Sequence, residues 1–227
     1  MAMARKIKTI VDNTFATPNL WHPLESGADL VVHSATKYLG GHGNITAGVV
    51  AGNSCELRKS AMVYRKLAGN ILSPDDAYRL GTQLKTFQLR FPRQCENAFR
   101  LACESPLRNH PAVKRVRYPG LELSDTRHET HDEAQRMFGE SKAYGAMITL
   151  ELKGGRRACD YFVENIADHI PYLVTLGDAD STLIHVATVF GEEKYPFPGM
   201  IRMSIGFERY EDIERAVLRA LDAIPNC

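Results

Sequence analysis

The chain has 227 residues, 44% hydrophobic and 24% charged, with a formal net charge of +1 at pH 7. These are ordinary globular proportions, enough for one large or two small domains. Basic and acidic residues are mixed along the chain, so nothing points to a nucleic-acid or polyanion partner.

The opening, Met1 to Ile10, reads as the end of a helix feeding a strand, with no N-cap signal before it. Truncation at an internal methionine is the expectation, with Lys6 and Lys8 interrupting any signal-peptide core. Residues 9–12 and 29–33 read as short buried parallel strands, apolar and bounded by turns, with Pro18 and Pro23 breaking the segment between them. A glycine loop at Gly40-Gly41-His42-Gly43 leads into a strand from Ile45 to Val50, ending at Gly52. Residues 55–67 look helical. Ser73 as N-cap and Pro74 at the first position start another helix, expected to reach about Leu84. A further helix is expected over 91–107, ended by Asn109-His110-Pro111.

Beyond that the patterning changes. Val113 to Tyr118 and Ala146 to Leu152 alternate as strands, 155–167 is an amphipathic helix, and 127–138 reads as loop or helix. Val186 to Phe190 and Ile201 to Ile205 are expected strands. The last helix starts at Tyr210-Glu211-Asp212, with an apolar stripe at Ile213, Ala216, Val217, Ala220 and Leu221. The boundary is placed near residue 90. No apolar run approaches the roughly 18 residues needed to span a membrane.

Cys55, Cys95, Cys103, Cys159 and Cys227 are odd in number and lack C-x-x-C spacing. That argues against a disulfide framework or a zinc site and for a reducing cytoplasm. His128 and His131 are spaced to share a helix face, and a solvated helix is the better reading of them than a metal site.

The chemistry concentrates around Lys37. The run from Asp29 to Asn44 is an apolar strand opening into Ser34-Ala35-Thr36-Lys37 and then the glycine loop. Asp12 ends the preceding strand. A carboxylate at one strand end and a lysine after the next is the layout that holds pyridoxal phosphate: the amine forms a Schiff base, and the carboxylate keeps the pyridine nitrogen protonated. Taken singly, Lys37 also reads as an exposed lysine, Asp12 as a cap, and Ser34 and Thr36 as turn formers. Arg202, inside the apolar run Met200-Ile201-Arg202-Met203-Ser204, is either a solvent-facing edge arginine or a fork for a carboxylate.

The stretch from Val11 to Gly48 closely resembles the trans-sulfuration (Cys/Met-metabolism) enzymes that use pyridoxal 5'-phosphate. Matching pieces follow in order along the chain: Gly81 to Thr86, Tyr118-Pro119-Gly120-Leu121, Gly145 to Gly155, Leu176-Gly177-Asp178 and Ile201 to Gly206. The resemblance implies a fold-type I α/β protein: residues 1–90 a remnant of the large cofactor domain, 91–227 a C-terminal α+β domain. Lys37 is then the Schiff-base lysine, with Asp12, Ser34 and Thr36 binding cofactor and Arg202 the substrate carboxylate. Thr175 stands where the family usually has a serine near that carboxylate. Val174 stands where cystathionine-handling members often have an acid.

Two departures bear on the substrate. Asn44 replaces a common aspartate, and Val189-Phe190-Gly191 replaces a usual Met-Thr-His. The implied activity is β- or γ-elimination or γ-replacement on methionine, cystathionine or activated homoserine, in a cytoplasmic homo-oligomer, dimer or tetramer. Family members are usually much longer, and the part lacking here carries a ring that stacks on the cofactor and a phosphate loop. Weak or no cofactor binding by the 227 residues alone is therefore the expectation. The rival reading is a non-catalytic fragment or pseudoenzyme that keeps only fold and self-association.

Overall fold

In the computed structural model, residues 7–122, 128–138 and 143–225 are described. The chain divides into two compact units, one ending at Gln88 and one beginning at Leu89.

The first unit is built on a three-stranded sheet ordered β1-β2-β3, with β1 at Ile10–Asp12, β2 at Leu30–Ser34 and β3 at Gly48–Gly52. β1 and β2 run parallel, with Asp12 level with Val32, and β3 returns antiparallel. Alternation along β2 buries Val31 and His33 on one face. β1 is less buried than its apolar composition predicts, with Ile10 64% exposed. The third strand starts at Gly48, not Ile45. Thr36 ties Ala47 to the turn after β2, and Ile45 is buried within the loop. The short helix α1 (Thr17–Leu20) follows β1, and α2 (Cys55–Ala68) follows β3. Ser54 caps α2 by accepting from the Leu57 N–H, and Gly69 at φ 76° ends it.

Residues 74–99 form one helix, α3 (Pro74–Phe99), where two were expected. Ser73 caps it as anticipated, accepting from Asp76 N at 3.1 Å. Proline at 92 does not break it. Its fixed φ suits a helix, and its missing N–H deprives only the carbonyl of Gln88. The buried positions Leu80, Phe87, Phe91, Cys95 and Ala98 carry one stripe straight through it. The helix loosens into a π-helical turn at Arg100–Glu104 and a 3-10 turn at Pro106–Asn109.

The second unit is α+β. Its four-stranded antiparallel sheet is ordered β4-β5-β7-β6, from β4 (Val113–Arg117), β5 (Met147–Leu152), β6 (Thr182–His185) and β7 (Met200–Ser204). One face buries Val116, Ile148, Leu150, Ile201, Met203 and Leu183. Helices α5 (Gly155–Ile166) and α7 (Tyr210–Asp222) cover it and pack on each other. The α7 stripe is the predicted one, Ile213, Ala216, Val217, Ala220 and Leu221, and all are buried. Burying Ile213, Val217 and Leu221 contributes roughly 1.5–3 kcal/mol each.

Two assignments here differ from the sequence reading. Val186–Phe190 is a short helix, α6, not a strand, and the strand is the preceding β6. The β-prone composition yields because His185 Nδ1 meets Thr188 Oγ1 at 2.6 Å, closing a turn, and Gly191 at φ 88° ends it. His128 and His131 do not share a helix face: α4 spans His131–Phe138, and His128 precedes it. The His131 ring is buried, with Nδ1 2.7 Å from the Pro119 carbonyl. Residue 127 lies outside the described residues. No described helix is long and apolar enough to cross a membrane.

Candidate cofactor and substrate site

Asp12 and Ser34 end adjacent parallel strands, the edge where open α/β sheets bind ligands. Asp12 is exposed, and its Oδ1 accepts from Thr14 N at 3.0 Å and Thr14 Oγ1 at 2.6 Å. The same Thr14 oxygen accepts from Ser34 N at 2.8 Å, linking the ends of β1 and β2. Behind them the buried amide of Asn13 donates to the carbonyls of Thr17 at 3.1 Å and Trp21 at 3.0 Å. Thr17 takes a left-handed φ of 62°, a conformation that costs a non-glycine residue about 1–3 kcal/mol and clusters at ligand sites.

Lys37 lies half-buried in the turn that follows β2, its N–H donating to Ser34 O at 3.1 Å. Thr36 Oγ1 accepts from Ala47 N at 3.0 Å, and its own proton reaches Ala47 O at 3.3 Å. That second bond is long enough for a competing acceptor to take the proton. Gly40 cannot be replaced without a shift, because a Cβ would stand 2.7 Å from the Ala35 carbonyl. Asn44 accepts from Gln83 at 2.8 Å, so at this position an amide ties the glycine loop to α3 within the first unit. Burial pushes the His33 imidazole below its ordinary range, against the Asn13 carbonyl and the Asp12 charge, which pull it upward.

The donor set fits pyridoxal phosphate: a lysine amine, a carboxylate with an outward oxygen, and two hydroxyls, all at the ends of neighbouring strands. Lys37, Asp12, Ser34 and Thr36 therefore fall together in the first unit.

Arg202 and Thr175 fall in the second unit. Arg202 sits mid-strand on β7 between Thr149 and Ile184, half-buried on the face opposite α5 and α7. Its Nη2 donates to the Thr175 carbonyl at 3.0 Å. The loop bearing Thr175 is fastened by Gly177 N donating to Ser204 Oγ at 2.9 Å and by Gln94 donating to the Asp178 carbonyl at 2.6 Å. Val174 is exposed beside it. The residue the sequence reading passed over is Thr14. Its signal was available: a carboxylate two residues before a threonine is the Asx-turn pattern.

The chain spans about half the length of the curated relatives it matches. An L-methionine gamma-lyase of Fusobacterium nucleatum subsp. polymorphum is 38% identical over 224 residues, 95% of this chain and 54% of that protein. A cystathionine beta-lyase of Lactococcus lactis subsp. cremoris is 37% identical over 98% of this chain and 58% of its own length. Among solved structures, cystathionine gamma synthase from Xanthomonas oryzae pv. oryzae, in complex with aminoacrylate and cysteine, superposes with a TM-score of 0.89 at 32% identity. That match covers 98% of this chain and 57% of the synthase chain, and it carries the fold-type I assignment. The family described as Cys/Met metabolism PLP-dependent enzyme matches residues 1–222. This chain belongs to that family, whose cofactor is pyridoxal 5'-phosphate.

Proposed function

We propose that the chain carries the lysine-bearing part of an enzyme that performs β- or γ-elimination or γ-replacement on a sulfur amino acid, such as methionine or cystathionine, or on activated homoserine. The observation that carries this is the placement of Asp12 at the end of β1 and Lys37 in the turn after the adjacent parallel strand β2, within the family match.

When bound, pyridoxal phosphate supplies a ring that draws electrons away from the Cα of an amino acid. Asp12 offers its outward oxygen to the ring nitrogen. Lys37 would hold the group covalently, and its amine, when free, would take the proton from Cα and serve as the base at Cβ. Ser34 and Thr36 would supply hydroxyl donors to the phosphate. Arg202 holds the α-carboxylate with its planar fork and so sets the direction of the Cα–H bond, while Thr175 frames the same end. The exposed Val174, in place of an acid, favours sulfide or methionine handling over cystathionine.

The partners of this reading are a small sulfur amino acid and further copies of the chain in a reducing cytoplasm. Self-association is supported by α2, where no side chain is buried and Met62, Val63, Tyr64 and Leu67 are all exposed. The rival reading, fold and self-association without turnover, draws on the span of 54% of the first relative. Adding pyridoxal phosphate and following the yellow absorbance band, then assaying release of a 2-oxo acid from methionine, tests both. A band with turnover supports the enzyme, and the absence of turnover, with or without a band, supports the rival.

A further inference from the structure

We infer that Thr14 is a positioning residue that orients Asp12 toward the cofactor ring. This rests on the cofactor reading of Asp12 above. The hydrogen bonds leave only one direction for each proton. Ser34 N–H can only donate, and it donates to Thr14 Oγ1 at 2.8 Å. Thr14 must then send its single hydroxyl proton the other way, to Asp12 Oδ1 at 2.6 Å. The Thr14 N–H, at 3.0 Å, points at the same carboxylate oxygen.

Asp12 Oδ1 therefore faces two donors on Thr14, its N–H and its hydroxyl. The carboxylate is held in one rotation, which leaves Oδ2 as the oxygen that would meet a ring nitrogen. Because the anchor of Thr14 is the main chain of Ser34, the ring-facing carboxylate is referenced to the strand that leads into Lys37. One hydroxyl thus sets the register between the group that meets the ring nitrogen and the turn that bears the amine. Burial of Asn13 and the strained φ of Thr17 hold the other side of this turn, so Asp12 has little freedom to find a new partner.

The test is equilibrium binding of two probes to the full chain: pyridoxal 5'-phosphate and its 1-deaza analogue, which has carbon in place of the ring nitrogen. Thr14→Val keeps the shape and removes the hydroxyl. It should weaken pyridoxal phosphate about tenfold, the loss expected for a hydrogen bond to a charged group. It should leave the deaza analogue within about twofold, and Thr14→Ser should restore the difference. In an Asp12→Ala background the valine change should have no further effect. Should Thr14→Val fail to fold, Thr14→Cys places a weak donor at the same point and should give a smaller loss of the same selectivity. Equal weakening of both probes would mean that Thr14 only props the turn, and the inference falls while the role of Asp12 stands. A wild-type chain that binds the probes equally overturns the cofactor reading of Asp12 and this inference with it, and one that binds neither overturns this inference alone.

Discussion

Arg202 Nη2 donates to the main-chain oxygen of Thr175 at 3.0 Å. The bond holds the arginine's stem in place whatever side chain stands at 175, and fixes one edge of the guanidinium relative to the loop. Thr175→Ala should therefore keep the tether. Arg202→Lys retains charge and loses the fork, and should weaken amino-acid ligands by about 2–4 kcal/mol, the range for truncating one partner of a buried charged pair. Titration of substrate analogues into the cofactor-loaded protein measures it. Unchanged affinity would reduce Arg202 to a structural strap for the 173–178 loop.

Reduction with borohydride in the presence of pyridoxal phosphate should leave a pyridoxyl group on Lys37, found by peptide mapping. Lys66 and Lys85 are internal controls, since each is an exposed helical lysine. A label on either of them in place of Lys37 would remove the basis for the active-site assignment.

Three thiols should be silent in the native state. Burial pushes Cys95, Cys103 and Cys159 up to about 12 each, whereas Cys55 is exposed. At pH 8, iodoacetamide should modify Cys55 first, and the other three only after denaturant is added. The same shifts have a consequence for stability. The folded state holds these protons more tightly than the unfolded chain, so their contribution is complete below the ordinary thiol value near 9. It is lost as pH rises from there to about 12. A urea midpoint that stayed level across that range would contradict it.

Asn97 is fully buried, and its amide donates to the carbonyls of Gly206 at 3.0 Å and Glu208 at 2.9 Å. Asn97→Ala leaves both oxygens without that donor and should cost about 1–3 kcal/mol. Urea unfolding should show a lower midpoint at an unchanged slope. The loop it secures also holds Glu208 against Ser181, whose N–H and hydroxyl both donate to the carboxylate.

Much of the fold could be read locally because its signals are local. Ser73-Pro74 marks a helix start through one capping bond, and the α7 stripe marks a buried face through spacing alone. The candidate residues were legible for a similar reason: Lys37 follows a short apolar strand by a turn whose glycines are required sterically. The misreadings came where a distant or unexpected partner decided the outcome. Two helices, one to about Leu84 and one over 91–107, were expected where one runs through Pro92; the buried stripe on either side of the proline outweighs one lost hydrogen bond. Val186 to Phe190 has strand composition, but the ring of His185 pulls Thr188 into a turn. Thr14 stayed unnoticed because its importance lies in a bond to Ser34, twenty residues away in sequence.

Helix α2 has 14 residues, good caps at both ends and no buried side chain. Isolated helices of about 12–15 residues are marginal in water, so capping alone gives this one little reserve. Its amide exchange and ellipticity consequently act as a built-in gauge. Diluted to where nothing lies over Met62 and Leu67, these turns should unwind ahead of every other helix. When that face is covered, protection should return there first, so the state of assembly can be followed from a segment remote in sequence from Arg202.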